Sequence, residues 1–166
     1  MALSPLDELI AIEEIKKLKA RRDRAVDLKD WDTYQALHAP EHVSHNDGYP
    51  AWSRDDMMRH VREANRHITL AHHSHTPDIT LVSETEATGV WTMEDHYAWM
   101  QGEEFHWMRG YGYYHEGYAR RDGQWLIVSR RIQRTMLMAS PGAVHPTKTA
   151  AIAAGYFIGP RLRLMA

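Results

Sequence analysis

The pattern of apolar and polar positions divides the chain into an N-terminal part with a helical repeat and a second part with strand-like segments. From residue 5 to about residue 29, apolar side chains recur at the three- and four-residue spacing of an amphipathic helix. Ser4, Pro5 and Asp7 predict its start, because serine caps a helix, proline suits the first turn and the acid completes a capping box.

The next segment predicts two shorter helices with a strand between them. One helix begins near Asp30 and ends at Pro40, since proline cannot continue a helix. Residues 41–47 predict a short strand. Residues 53–56 form another capping box, which opens a helix that runs to about Arg66.

After His67 the sequence becomes rich in Val, Ile, Thr, Trp and Tyr, which is typical of strands. The predicted strands are 68–75, 79–84, 87–99, 105–120 and 124–138. Turn residues separate them, and Asp122-Gly123 is a strong hairpin signal. Helices followed by a meander of antiparallel strands predict an α+β fold, with the helices packed on one face of a curved sheet.

Composition narrows the function classes. The chain has 166 residues, 43% of them apolar and 25% charged, and a net charge of −2. These values are typical of one soluble globular domain, and the weak charge gives no general attraction for nucleic acid. No apolar run approaches the roughly 20 residues of a membrane span, and the N-terminus lacks a signal-peptide pattern, so we expect a cytoplasmic protein. The absence of cysteine excludes disulfides and thiolate-bound zinc.

The C-terminal residues differ from the rest of the chain. Residues 140–166 contain several prolines and glycines, yet they are too apolar for a solvated linker. We therefore expect one domain over residues 1–139 and a tail over residues 140–166 that packs on the domain or on a neighbouring subunit.

The stretch ITLAHHSHTPDI holds three histidines within four positions. Because side chains alternate along a strand, Leu70 and His72 share one face, while His73 and His75 share the other. Leu70 marks the inward face, so His72 is predicted to point into the interior. A buried imidazole needs a hydrogen-bond partner. A satisfied core histidine is the alternative to a functional one.

A metal site is a further alternative for this stretch. His73 and His75 could supply two ligands on one face, but zinc needs at least three from the protein. The chain has no HExxH motif and offers no obvious third ligand, although His96 and His115 are further histidines. The preferred prediction is therefore a site without a metal.

Two carboxylates near the end of the first helix are possible partners for His72. Asp23 and Asp27 lie one turn apart and share a face. Asp27 directly follows the apolar pair 25–26, at the edge of the buried stripe. Its carboxylate could fix the tautomer of His72 and stabilise the imidazolium. A solvated helix face is the alternative, particularly for Asp23.

The last predicted strand carries a candidate buried cation. Alternation places Arg130 on one face with Leu126, Val128, Ile132 and Arg134, and the aliphatic members mark that face as inward. A buried arginine seeks an anion, which could be a leaving group, a substrate carboxylate or an acidic side chain of the protein.

Three segments in this order resemble one protein family. They are AIEEIKKLKARRDRAVDLKDWDTYQALHAPEHVSH, HHSHTPDITLVSETEATGVWTMED and GYGYYHEGYARRDGQWLIVSRRIQRT. Over residues 6–138 the chain resembles the SnoaL-like branch of the NTF2-like superfamily. The family includes scytalone and bile-acid 7α-dehydratases, the lindane dehydrochlorinase, polyketide cyclases and non-enzymatic members. The resemblance implies a cone in which a curved antiparallel sheet and N-terminal helices enclose a pocket. It also implies a homodimer or homotrimer without a cofactor.

The resemblance also implies site residues. The elimination enzymes of the family use an Asp–His dyad, and some add an arginine from the last strand. Asp27 matches the acid, His72 lies seven residues before Ile79 as the base does, and Arg130 lies five residues after Trp125.

Further positions follow from the same resemblance. Some relatives carry Tyr or Lys five residues before the acid, where this chain has Arg22. Tyr49 corresponds to a tyrosine of the dehydratases, and His75 to a second histidine before the proline. We expect Tyr49, His75 and Tyr114 to bind substrate.

Together these features predict a cofactor-independent lyase of dehydratase type. His72 would take a proton from carbon, with Asp27 behind it, while Arg130 stabilises the departing group. The many aromatic residues favour a hydrophobic cyclic substrate. The alternatives are an isomerase or cyclase of a steroid- or polyketide-like substrate on the same fold, or a non-catalytic small-molecule-binding module. No nucleic-acid or membrane partner is expected.

Overall fold

A computed structural model describes residues 4–46 and 50–143. It confirms the α+β class: three N-terminal helices and six strands that form one sheet. The elements are α1 Pro5–Asp27, α2 Trp31–Ala36, β1 His38–Asn46, β2 Trp52–Ser53, α3 Arg54–Ala64, β3 Thr69–Leu81, β4 Glu86–Gln101, β5 Glu104–Arg121 and β6 Gln124–Ala139. None of the described helices is long and apolar enough to cross a membrane.

The helix starts follow the predicted capping. Ser4 accepts a hydrogen bond from the backbone N–H of Asp7 at 3.2 Å, and Ser53 accepts one from the N–H of Asp56 at 3.2 Å. The second helix is shorter than predicted. It ends at Ala36, and Pro40 lies inside β1 instead of ending the helix.

The sheet has the order β2-β1-β6-β5-β4-β3, and it is mixed where a fully antiparallel sheet was expected. β1 runs parallel to β6, from the His38–Ile127 pair to the Asn46–Ile132 pair. Only sequence-adjacent hairpin strands are forced to be antiparallel. β1 and β6 are joined through the whole intervening chain, which leaves their direction free.

The first long strand is continuous, although a turn was predicted at Thr76-Pro77. β3 pairs with β4 along its whole length, with a shift of register between His75 and Asp78. Thr76 has a positive φ of 32°. A proline cannot donate to the ladder, so the strand accommodates it in an irregularity and then continues.

A bulge in β6 decides which residues of that strand face the interior. Trp125 and Ile127 are buried, so the prediction that Leu126 and Val128 point inward is wrong. The register with β5 shifts between Ile127 and Ser129, leaving Val128 unpaired. The extra residue reverses the alternation, and Arg130 therefore faces inward as predicted.

The α1 helix packs against the sheet with a face that is only partly apolar. Ile15 and Val26 are buried there, and so are Lys19, Arg22 and Asp23. Burying a charge is costly unless it is paired. This face of α1 therefore supplies one side of a polar interior.

Candidate active site

Asp27 and His72 form a partly buried carboxylate–imidazole pair. The Nδ1 of His72 lies 2.7 Å from Oδ1 of Asp27, and the backbone N–H of His72 donates to Oδ2 at 2.9 Å. The His72 side chain is 7% exposed and that of Asp27 is 23% exposed. The last turn of α1 and the start of β3 thus bring together two residues that are 45 positions apart.

The two contacts fix the orientation of the imidazole. An ionised carboxylate only accepts hydrogen bonds, so Nδ1 carries the proton and Nε2 keeps its lone pair. No residue in the described part of the chain hydrogen-bonds to Nε2 of His72. This arrangement can accept a proton at Nε2 while Asp27 stabilises the resulting imidazolium.

Asp23 lies one turn before Asp27 and is more deeply buried. It accepts hydrogen bonds from the Ser74 hydroxyl at 2.6 Å and from Arg22 at 2.9 Å, and Lys19 lies 3.9 Å away. Burial raises the pKa of Asp23, but Lys19 and Arg22 outweigh it, so the net pKa lies well below its usual range. A solvated helix face is therefore wrong for Asp23, which is a permanent interior anion.

A second charged pair joins an earlier turn of α1 to β5. Lys19 Nζ is 2.6 Å from Glu116 Oε1, and both side chains are almost fully buried. The Tyr118 hydroxyl donates to the other oxygen of Glu116 at 2.6 Å and accepts from Trp91 Nε1 at 2.7 Å. Lys19 also lies 4.0 Å from the centre of the Tyr114 ring.

Arg134 is the arginine whose ion-pair partner, Asp95, lies next to His72. It makes a two-point ion pair with Asp95, at 2.6 Å and 2.9 Å. Asp95 lies opposite His72 in the register and accepts from the Tyr97 hydroxyl, whose ring is 6.0 Å from that of His72. Burial raises the pKa of Asp95, but Arg134 lowers it below its usual value. The charges of the Asp95 carboxylate and the Arg134 guanidinium therefore cancel.

Arg130 is a second buried arginine. It is 5% exposed and donates to the Ser44 hydroxyl at 3.0 Å, with the Tyr114 ring 5.9 Å away. Among the described residues, Arg130 has no carboxylate within salt-bridge distance and its Nε has no hydrogen-bond partner. Arg130 pairs in the sheet with Glu116, whereas His72 pairs with Asp95. The structure does not join Arg130 directly to the carboxylate–imidazole pair.

The three predicted substrate-binding residues have different positions. Tyr114 is buried in the interior, where burial raises its pKa above the usual value. His75 lies on the outer face of β3, with its side chain 50% exposed. Strand alternation turns His75 away from His72, and its expected substrate-binding role stays a prediction. Tyr49 lies outside the described residues.

Two histidines near Arg130 are buried and neutral. The Nδ1 of His38 lies 2.7 Å from the carbonyl of Tyr34, and that of His42 lies 3.1 Å from the carbonyl of Ile127. Burial, followed by the charge of Arg130, lowers the pKa of His42 to about 4. Burial likewise holds the pKa of His38 well below its usual value.

Several of these interior residues were not predicted as part of the site. Lys19 occupies the same stripe as Ile15, four residues earlier, and Asp95 alternates with the buried Met93. The burial of both residues could therefore have been predicted from the periodicity of the apolar positions. Their partners, Glu116 and Arg134, could not be assigned without knowing which strands are adjacent.

Solved structures share this fold over most of their length. A candidate scytalone dehydratase from Novosphingobium aromaticivorans is 19% identical, with a TM-score of 0.76, over 92% of this chain and 99% of that one. A type 3 hexachlorocyclohexane dehydrochlorinase from Novosphingobium barchaimii is 17% identical, with a TM-score of 0.73, over 84% and 97%. A protein of unknown function from Mycobacterium tuberculosis is 22% identical, with a TM-score of 0.68, over 82% and 79%. At these identities the likeness establishes the fold, which is NTF2-like.

The sequence profile of the SnoaL-like domain matches residues 7–131. That range holds nearly all of the three helices and every strand except the end of β6. It also contains Asp27, His72 and Arg130. The chain therefore belongs to the SnoaL-like domain family.

Proposed function

We propose that the protein is a cofactor-independent lyase that eliminates water or a similar small group from a hydrophobic cyclic molecule. The observation that carries this proposal is the 2.7 Å contact between Nδ1 of His72 and Asp27 in the interior of the fold. It leaves Nε2 as a base, oriented and electrostatically supported, without a competing partner among the described residues.

In the proposed step, Nε2 of His72 takes a proton from a carbon next to an activating group. The electron pair of the broken C–H bond forms the new double bond, and the leaving group departs with the pair of its own bond. Asp27 stabilises the imidazolium while it exists. The proton on Nε2 can then pass to the departing hydroxide, which restores the base.

Arg130 is the interior cation best suited to an oxygen of the substrate. Arg134 is neutralised by two contacts with Asp95, whereas Arg130 has only the Ser44 hydroxyl as a hydrogen-bond partner among the described residues. A buried guanidinium with an unused N–H favours an oxygen that gains negative charge during the reaction. We assign Arg130 to that oxygen and Tyr114, beside it, to the substrate ring.

A direct test needs a substrate and two variants. A thermal-shift screen of cyclic alcohols and ketones identifies ligands, because a compound that binds the folded state raises the thermal midpoint. Turnover is then followed by mass spectrometry, since elimination lowers the mass of the organic product by that of the lost molecule. His72→Ala and Asp27→Asn should each lower kcat/KM by about 10²–10⁴-fold.

The matched control is His115→Ala, which removes an imidazole from the outer face of β5, where it contacts Gln133 at 2.9 Å. Full activity in His72→Ala or Asp27→Asn would exclude the mechanism. A product of unchanged mass would indicate the isomerase or cyclase alternative. Binding without turnover across the ligands found would indicate a small-molecule-binding module.

A further inference from the structure

The outer face of the sheet carries a group of side chains that the proposed chemistry does not use. His73 and His75 lie on this face of β3, and Glu94 and His96 lie on the same face of β4. His73 is directly opposite Glu94 in the β3–β4 register. Alternation therefore gathers three imidazoles around one carboxylate, on the side of the sheet opposite to His72.

The donor atoms of this group are close enough to share one ion. One ligand atom from each of His73, Glu94 and His96 lies within 4.8 Å of the other two. Nε2 of His96 is 2.6 Å from Glu94, and Nε2 of His75 is 3.8 Å from its other oxygen. Tetrahedral zinc, with ligands at 2.0–2.2 Å, keeps its ligand atoms about 3.4 Å apart. Small side-chain rotations span that difference.

The surroundings prepare Glu94 as a ligand. Its carboxylate lies 2.6 Å from Nε2 of His96 and accepts a hydrogen bond from Tyr111. Tyr111 is thereby placed as an outer-shell partner that orients the carboxylate. An ion pair between Glu94 and His96 alone would not involve His73. The His73 ring nevertheless lies 5.8 Å from the His96 ring.

We infer that His73, Glu94 and His96 bind one Zn²⁺ on the outer face of the sheet, with His75 within reach as a fourth ligand. Two imidazoles and a carboxylate suit zinc, whereas Mg²⁺ and Ca²⁺ prefer oxygen ligands only. The ion would link β3 to β4 across one register pair. Its role would be structural, because the sheet separates it from the carboxylate–imidazole pair. This inference is independent of the proposed function.

The test is zinc binding to untagged, metal-stripped protein, measured by isothermal titration calorimetry at pH 7.5. The wild type should bind one Zn²⁺ per chain. His73→Ala, His96→Ala and Glu94→Gln should each weaken binding by at least about tenfold, since losing even an outer-shell partner costs that much. His115→Ala, on the same face but outside the group, should bind as the wild type does.

A second measurement is the thermal midpoint. Saturating zinc should raise it in the wild type and in His115→Ala, and should raise it less in His96→Ala. The inference is overturned if the wild type shows no saturable binding. It is also overturned if His73→Ala and His96→Ala bind with unchanged affinity, or if His115→Ala is weakened as much as they are. The last result would mean that scattered surface imidazoles bind the metal.

Discussion

Two lysines of α1 make ion pairs of nearly the same length in different surroundings. Lys16 lies 2.5 Å from Glu13, with side chains 41% and 58% exposed. Lys19 lies 2.6 Å from Glu116, with side chains 1% and 0% exposed. Exposed pairs contribute little because water and salt screen them, whereas removing one member of a buried pair leaves an uncompensated charge.

We therefore expect Lys19→Met to lower the free energy of unfolding by about 3–5 kcal/mol, because Glu116 would stay buried without its cation. Lys16→Met, the control, should change it by no more than about 1 kcal/mol. Urea denaturation at pH 7 measures both. Adding Glu116→Gln to Lys19→Met should recover part of the loss. Equal effects of the two lysine substitutions would show that burial does not control these pairs.

At the level of whole elements, irregularities in the pairing of β5 with β6 decide which side chains face the interior. The bulge at Val128 turns Arg130 inward, and a second shift in the β5–β6 register lies between Gly112 and Tyr111. A glycine of β5 lies at each shift, Gly112 at one and Gly117 at the other. A Cβ at Gly112 would lie 2.1 Å from the backbone oxygen of Gln133, and one at Gly117 would lie 2.6 Å from the Ser129 hydroxyl.

These two glycines should respond differently to alanine. Gly112→Ala requires the backbone of β6 to move, so we expect a loss of about 3 kcal/mol or more, at the upper end for overpacking. Gly117→Ala requires only a side-chain rotation of Ser129, and we expect a loss of about 1 kcal/mol. Denaturant midpoints of both variants measure the difference. Similar losses would mean that the bulge of β6 opposite Gly112 is not held tightly by the surrounding sheet.

Prediction from the sequence failed at the same irregularities. Local signals sufficed for the capped starts at Ser4 and Ser53 and for the Asp122-Gly123 hairpin, because each depends on a few neighbouring residues. Strand alternation placed His72 inward correctly. It failed at Leu126 because a bulge is set by the partner strand and leaves no clear trace in the strand's own sequence.

At the scale of the whole molecule, the interior is defined by partners that lie far apart in sequence. The Asp27–His72 contact spans 45 residues and the Lys19–Glu116 contact spans 97. The first was predicted because the resemblance indicated both residues, strand alternation turned His72 inward, and Asp27 lies at the edge of the buried stripe of the first helix. The Lys19–Glu116 contact was not predicted, because the sequence of a helix does not indicate which strand residue will lie next to its lysine. The resemblance also grouped Arg130 with Asp27 and His72, and this grouping stays a prediction, since Arg130 pairs with Glu116 in the sheet and His72 with Asp95.

Acid should destabilise the whole molecule before its carboxylates titrate. His42 has a pKa of about 4 in the folded protein, because of burial and the nearby charge of Arg130, against about 6.5 when unfolded. Between these values the unfolded chain binds more protons, so stability that is present above pH 6.5 is lost as the pH falls towards 4. His42 alone accounts for a loss of about 2–3 kcal/mol by pH 4.5.

His42→Gln keeps a hydrogen-bond donor at this position but removes the titrating group. We expect this variant to be less stable than the wild type at pH 7, yet to lose about 2–3 kcal/mol less between pH 7 and pH 4.5. Urea denaturation at half-unit pH steps gives both curves. His67→Gln, at an exposed position, serves as the control and should follow the wild-type curve. Parallel curves for His42→Gln and the wild type would show that His42 is not held neutral by the fold, and the polar interior around Arg130 would then be open to water.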